Sequence, residues 1–247
     1  MRKTSNASLL AMLLISALAL SACSSTPEED PLEGYNRAMQ SFNTAVDKGI
    51  IRPVAKGYRY ITPEPVRERI GNFSDNLREP VSMLNAFLQG DVEQGLTSFW
   101  RFAINTTIGF AGLNDVASEA GLKERREDFG QTLAYYGAGR GPYIVLPILG
   151  PSNGRDTIGL VADWFSNPFN YIIDDEWGQF GLAAGQALVE RERLIDPIDD
   201  IYETSLDPYV TFRSVYYQYR DAQIQNRNGS NPFLKYDETP EEYEENN

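Results

Sequence analysis

The 247-residue chain is 42% apolar and 23% charged, the balance of a folded protein rather than of a disordered one. Its 35 acidic and 22 basic residues give a net charge of −13, which disfavours nucleic acid and anionic headgroups as electrostatic partners. It contains no histidine, which excludes a Ser-His-Asp hydrolase, a Cys-His nucleophile and an HExxH zinc site.

Met1-Arg2-Lys3 opens a short basic region, followed by an apolar stretch from Ala7 to Leu20 and then Leu20-Ser21-Ala22-Cys23. This is the layout of a signal peptide over residues 1–22. The stretch is short of the roughly 20 apolar residues of a membrane span. The tetrad resembles the bacterial lipobox, which makes Cys23, the sole cysteine, the acceptor of a diacylglycerol and an N-acyl chain. A free thiol or half of an intermolecular disulfide is the alternative. Ser24 in place of aspartate implies, by the same resemblance, export to the outer membrane. Removing Arg2 and Lys3 leaves 20 basic against 35 acidic residues, a net charge of −15. Attachment to a membrane then has to be hydrophobic, each buried methylene contributing about 0.8 kcal/mol. Residues 23–29 read as a lipidated tether, and no other cofactor is expected.

Asp30 to Gln225 is long enough for one domain with a sizeable core. Its dominant period is helical. Tyr35, Met39, Phe42, Val46 and Ile50 form one face of an amphipathic helix introduced by Asp30-Pro31, with Asn36, Arg37, Gln40, Asn43 and Asp47 on the other. Helices are also expected over 64–76 and 81–88. From Asp91 to Ile108 the period continues, but Trp100, Phe102 and Ile104 widen the apolar face, so that helix needs greasy surroundings on several sides. Further helices are expected over 128–136, 156–164, 178–195 and 208–225. In the last, Tyr209, Phe212, Tyr216 and Tyr219 share a face that reads as core before ligand site. Gly181 and Gly185 form a GxxxG pair that permits close helix contact. Residues 226–247 carry six acids and few apolar side chains and read as an acidic disordered tail.

One stretch breaks the period. Between Gly137 and Pro151, four glycines and three prolines bracket an apolar run, which cannot be a helix and makes a poor central strand because Pro147 lacks a donor. It reads as an apolar loop that either packs over the core or faces lipid or an apolar ligand. Gly150-x-Ser152-x-Gly154 matches the nucleophile-elbow pattern, but without histidine Ser152 reads as the cap of the following helix. Gly137-x-Gly139-x-Gly141 lacks the helix and lysine of a phosphate loop. The acids Glu190, Glu192, Asp196, Asp199 and Asp200 lack EF-hand spacing and read as a solvated helix end.

Asp30-Pro31-Leu32-Glu33-Gly34-Tyr35-Asn36-Arg37 with Met39, Phe42 and Asn43 resembles the opening signature of the MlaA (VacJ) outer-membrane lipoproteins. The pattern continues through Asn72-Phe73-Ser74-Asp75-Asn76-Leu77, Asp128-Phe129-Gly130-Gln131-Thr132-Leu133, Gly141-Pro142-Tyr143, Leu146-Pro147, Gly150-Pro151-Ser152 and Asp207-Pro208-Tyr209. Gln40-Ser41 depart from it where more apolar character is expected. The resemblance implies an all-α fold, a ring-like bundle of amphipathic helices with a Gly/Pro-rich apolar hairpin loop, seated in the inner leaflet of the outer membrane on its periplasmic side. It implies a non-enzymatic channel that withdraws stray phospholipids from the outer leaflet and passes them to a soluble MlaC-like periplasmic carrier, in company with a trimeric porin. Phe42 and Asn43, with Gly137, Gly139, Gly141, Pro142, Tyr143, Leu146, Pro147, Gly150 and Pro151 of the loop, are the candidates for setting the opening. Arg101, Arg140 and Arg155 are candidates for guiding phosphate headgroups, with ordinary salt bridges as the alternative. A structural lipoprotein scaffolding a porin complex is the competing reading. Replacing Cys23 by alanine is expected to release the protein from the outer-membrane fraction without unfolding it, as read by palmitate labelling and membrane flotation.

Overall fold

The computed structural model describes residues 30–225; the signal peptide, Cys23, the tether and the acidic tail lie outside the described residues. The order of elements is α1 (Glu33–Val46), a π-helical turn (Asp47–Ile51), α2 (Arg52–Ile61), α3 (Glu64–Asn76), α4 (Glu79–Leu88), α5 (Val92–Thr107) and α6 (Val116–Glu119). There follow α7 (Phe129–Tyr135), strands β1 (Tyr143–Leu146) and β2 (Gly150–Asn153), α8 (Gly154–Ser166), α9 (Phe169–Ile172), α10 (Glu176–Arg193), α11 (Ile195–Thr204) and α12 (Pro208–Ile224). No helix among the described residues is long and apolar enough to cross a membrane.

Local chemistry sets the boundaries. The carboxylates of Asp91, Asp115, Asp128 and Asp175 and the amide of Asn153 each accept from an N–H of the first turn they precede. Pro53, Pro65, Pro80 and Pro208 occupy first turns, where no amide hydrogen is required. Asn153, not Ser152, is therefore the cap of α8; the Ser152 hydroxyl is buried against that of Thr157 at 2.9 Å. Where an apolar loop was expected, β1 and β2 pair antiparallel with Val145 opposite Pro151. Both strands are edges of a two-stranded sheet, which is where a proline costs no ladder bond.

Neighbouring elements pack in a closed circuit: α1 on β1, β2 on α12, α12 on α7, α7 on α4, α4 on α5, α5 on α3, α3 on α10, and α10 on α2, which runs back into α1. A sizeable apolar core does not form. Among the described residues buried polar side chains outnumber buried apolar ones, and only Tyr143, Val145 and Tyr209 join into a cluster. The helices wear their faces inverted. On α5 the buried stripe is Gln94, Ser98, Arg101 and Asn105, while Val92, Leu96, Phe99 and Trp100 are exposed. On α4, Glu79, Ser82 and Asn85 are buried and Leu84, Phe87 and Leu88 exposed. On α8, Arg155 and Asp156 are buried while Ile158, Val161 and Trp164 are exposed. In a water-soluble helix the apolar stripe faces inward; here it faces out.

Buried polar groups are tolerated only when satisfied, and the seams are built accordingly. Arg101 gives Nε to Glu79 at 2.5 Å, Nη1 to Ser118 at 2.9 Å and to the Leu122 carbonyl at 2.5 Å, and Nη2 to Asp115 at 3.2 Å. Of the acids expected to be a solvated helix end, Glu190 takes Arg78, Arg126 and Arg193, Glu192 takes Arg59 and Arg67, Asp199 takes Arg52 and Lys56, and Asp196 takes Arg59, while Asp200 is exposed as expected. Close backbone approach occurs at Gly159, where an added Cβ would lie 2.5 Å from the Gly130 nitrogen. Gly181 and Gly185 meet nothing within 4 Å, so their spacing serves no helix contact here. Replacing Arg101 by methionine strands the Glu79 carboxylate and is expected to cost about 3–5 kcal/mol in urea unfolding of the micelle-bound protein, with much of the loss recovered in the Arg101→Met/Glu79→Met pair.

Candidate functional site at the clamped hairpin

The β1–β2 hairpin is held along its outer edge by two side chains of α1. Asn36 Nδ2 donates to the Tyr143 carbonyl at 2.9 Å and its Oδ1 accepts from Val145 N at 2.8 Å. Asn43 repeats the arrangement at the tip, donating to the Leu146 carbonyl at 2.9 Å and accepting from Ile148 N at 2.7 Å. Seven residues of helix advance ~10.5 Å, which matches the ~10 Å covered by three residues of strand. Two asparagines two turns apart thus act as a substitute strand. An amide is suited to this because it offers a donor and an acceptor in one plane.

The inner face of β1 is packed. The Tyr143 ring lies 6.0 Å from that of Tyr209, 5.9 Å from Tyr216 and 5.7 Å from Tyr217, with Met39 alongside. Tyr209 and Tyr216 of the face expected as core are in this cluster, joined by Tyr217 from outside that face, while Phe212 packs on Tyr202 instead. The base of the hairpin is closed by backbone bonds from Gly154 N to the Pro142 carbonyl and from Arg155 N to the Arg140 carbonyl. Below β2, Asp156 accepts from Tyr216, Arg155 and Arg220, and Arg220 reaches on to Asp128. Burial opposes ionisation of Asp156, but the charge and hydrogen bonds of Arg220, with those of Arg155 and Tyr216, outweigh it and hold the carboxyl below its usual range. Burial, followed by the neighbouring carboxylate, pushes the Tyr216 phenol up, so it remains a donor.

Only the tip is free. Pro147, Ile148 and Leu149 are exposed, the last two at 64% and 73%. Ile148 has φ of +67°, an uncommon and strained state for a β-branched residue; the Leu149 amide closes a tight turn onto the Pro147 carbonyl at 2.8 Å. The segment expected as a free apolar loop is thus a hairpin fixed at its base and inner face, with a strained apolar tip held by Asn43. Gly150 and Pro151 form the start of β2, Leu146 ends β1, and Gly137 and Gly141 supply positive-φ turns before it. Gly139 stands in open space. Phe42 is half exposed beside the clamp.

The three arginines separate. Arg101 is buried and its donors are taken up by Glu79, Asp115, Ser118 and a carbonyl. Arg155 is buried against Asp156. Neither can meet a passing headgroup, because a guanidinium already paired in a dry seam has no favourable exchange to make. Arg140 is partly exposed, 3.3 Å from Asp221 and 5.0 Å above the Tyr217 ring. The sequence does not single out Asn153, and it places Asn36 and Tyr216 only on a polar and an aromatic helix face, although the seven-residue spacing of Asn36 and Asn43 on one helix is visible there.

A helical circuit with polar side chains inward, apolar side chains outward and a pinned hairpin defines a membrane-associated protein rather than a water-soluble one. The family model described as MlaA lipoprotein matches residues 28–223. The chain belongs to the MlaA lipoprotein family. It is 40% identical over 227 residues to the intermembrane phospholipid transport system lipoprotein MlaA of Escherichia coli, covering 85% of this chain and 88% of that protein. The Haemophilus influenzae protein of the same description is 35% identical over 220 residues, covering 83% and 86%, and an uncharacterized protein of Rickettsia typhi is 39% identical over 197 residues, covering 79% and 78%. A chain solved in work on the structural basis for maintenance of bacterial outer membrane lipid asymmetry superposes with a TM-score of 0.71 at 40% identity, covering 80% of this chain and all of that one.

The two clamps are unequal. Asn36 is fully buried while Asn43 is partly open. Asn36→Ala leaves a buried carbonyl and amide unpaired and is expected to destabilise the protein by about 2–3 kcal/mol. Asn43→Ala is expected to cost about 1 kcal/mol and to speed hydrogen exchange at Ile148 and Leu149 while Val145 stays protected.

Proposed function

We propose that this chain is an outer-membrane lipoprotein that carries phospholipid out of the membrane as part of an intermembrane transport system, maintaining lipid asymmetry. The observation that carries the reading is the inversion of the helices: a closed circuit whose inward faces are amides, hydroxyls and paired charges while its outward faces are Leu, Phe and Trp. Such a body belongs in hydrocarbon, its polar groups paired with one another in the seams between helices and its apolar side chains left for the acyl chains. The family relationship and the likeness to phospholipid-transport lipoproteins support the same reading.

The finer parts follow from it. The protein sits in the inner leaflet on the periplasmic side, tethered by the diacylglycerol and N-acyl chain of Cys23; that no helix among the described residues is long and apolar enough to cross a membrane supports seating in one leaflet. The substrate is phospholipid withdrawn from the outer leaflet, the recipient a soluble periplasmic carrier, and a trimeric porin the neighbour. The hairpin sets the opening, with Asn43 and Phe42 at its edge and Arg140 as the remaining headgroup guide. No covalent step is involved: the Ser152 hydroxyl is buried against Thr157, and the chain has no histidine to activate it. The family relationship to intermembrane phospholipid transport lipoproteins favours this over a purely scaffolding role.

The test is a reversible lock. Asn43→Cys with Ile148→Cys joins the helix to the hairpin tip, Cys23 being acylated. Oxidation is expected to raise outer-leaflet phospholipid and reduction to restore it, while the purified wild-type protein retains bound phospholipid. No bound lipid, together with unchanged outer-leaflet composition in a deletion strain, would sink the transport reading in favour of the scaffold.

A further inference from the structure

Strain in the described backbone is concentrated at exposed apolar tips. Non-glycine residues with positive φ are Ile148 in the hairpin and the consecutive pair Phe110 (+55°) and Ala111 (+59°) after α5. The left-handed region costs roughly 1–2 kcal/mol per residue, and such strain persists only where the surroundings over-determine it. At Phe110 they do. Gly109 N, Ala111 N and Gly112 N donate to the carbonyls of Ile104, Thr106 and Asn105, and Asn114 N donates to that of Gly109. Buried Asn105 is itself fixed by Asp115 at 2.9 Å and by Ala117 N at 2.9 Å. A Cβ on Gly109 would lie 2.3 Å from the Asn114 carbonyl oxygen, and one on Gly112 2.6 Å from the Asn76 side chain. This turn is built to hold one shape.

What it holds outward is a phenylalanine that is 74% exposed, beside an isoleucine, Ile108, that is 64% exposed. The turn's own hydrogen bonds hold the strain, and they do so without burying Phe110 within the chain. The occupant is indicated by charge. From Gln94 to Asn114 the single charged residue is Arg101, which is buried in its ion pairs. Between Leu96 and Phe110 this segment therefore presents no exposed charge, and the Phe102–Phe169 contact at 6.5 Å carries the apolar surface on toward Tyr171 and Ile172, where it ends at the exposed carboxylates of Asp174, Asp175 and Glu176. An apolar stretch of this length with charge only at its border fits acyl chains bounded by a headgroup region.

We propose that the Ile108–Leu113 turn is a rigid hydrophobic wedge that inserts Phe110 into the acyl chains of one phospholipid leaflet and sets the depth at which the helical circuit sits. This rests on the leaflet seating argued above and adds the residue that fixes it. A flexible lipid tether on Cys23 controls only whether the protein is at the membrane, whereas a stiff turn fixes how far it sinks.

The full lipidated chain, whose Cys23 is acylated, can be given single cysteines by Phe110→Cys, Trp100→Cys or Ser214→Cys, labelled with a nitroxide and placed in phosphatidylethanolamine/phosphatidylglycerol vesicles. Collisional relaxation is then compared for oxygen, which favours hydrocarbon, and a nickel chelate, which stays in water. Position 110 is expected to be oxygen-accessible and nickel-shielded, like position 100, with 214 the reverse. Position 110 reading like 214 while 100 remains in lipid overturns the wedge alone; water at all three positions overturns the seating as well. A label at 110 shielded from both reagents places a protein surface there and also overturns the wedge. Ala111→Gly relieves the backbone without touching Phe110, and is expected to raise the melting temperature and leave the depth at 110 unchanged. A lowered melting temperature would show that the turn is not strained, and a shift in depth would show that its stiffness comes from elsewhere.

Discussion

A polar group removed from water must find its partner within the protein, and this requirement organises the whole molecule. With amides, hydroxyls and charges turned inward, each helix seam has to be closed by hydrogen bonds rather than by interdigitated aliphatics. Arg101 satisfies Glu79, Asp115, Ser118 and the Leu122 carbonyl in one arrangement. Asp156 and Arg220 do the same between α8, α7 and α12. Such bonds are directional, so they fix the helices in position where an apolar core would only hold them together.

The long first helix shows how the demand is met at a distance. The π turn at Asp47–Ile51 inserts extra backbone between α1, which grips the hairpin, and α2, which carries Arg52, Lys56 and Arg59 toward the acids of α10 and α11. At the turn itself Asp47 receives Arg191 through two bonds of 2.7 and 2.9 Å. A π turn of this kind re-aims a helix face where function requires it, and here the two halves of one rod serve different neighbours. The acidic surplus that disfavours anionic partners is in part consumed this way, in caps and interhelical pairs.

Much of the secondary structure was legible in the sequence, because boundaries are local. Glu64–Asn76 agrees with its expected span, and the helices expected from Asp91, Asp128 and Pro208 lie within a residue or two of theirs. The direction of the faces was not legible. A 3.6-residue period states that two sides of a helix differ, but which side points inward depends on the solvent outside, and the default is water. Reversal of that default is why Asn36 and Asn43 were placed on an outer face although they grip a strand over 100 residues away, and why Arg101 looked available. The acids from Glu190 to Asp200 read as a solvated helix end because the cations that Glu192, Asp196 and Asp199 find lie on α2 and α3, far along the chain. The hairpin was taken for a loop because proline is excluded from central strands, a rule with no force in a sheet that consists of two edges.

The clamp on the hairpin is made of two neutral amides. Neither Asn36 nor Asn43 titrates; Asn43 meets only backbone groups of the hairpin, while Asn36 Nδ2 also donates to the Asp30 carboxylate at 3.1 Å. An ion-paired latch would loosen or tighten with acidity and salt. An amide latch does not. At Asn43 the strength is set by geometry alone, so the hold on the hairpin tip is the same in dilute, saline and mildly acidic media.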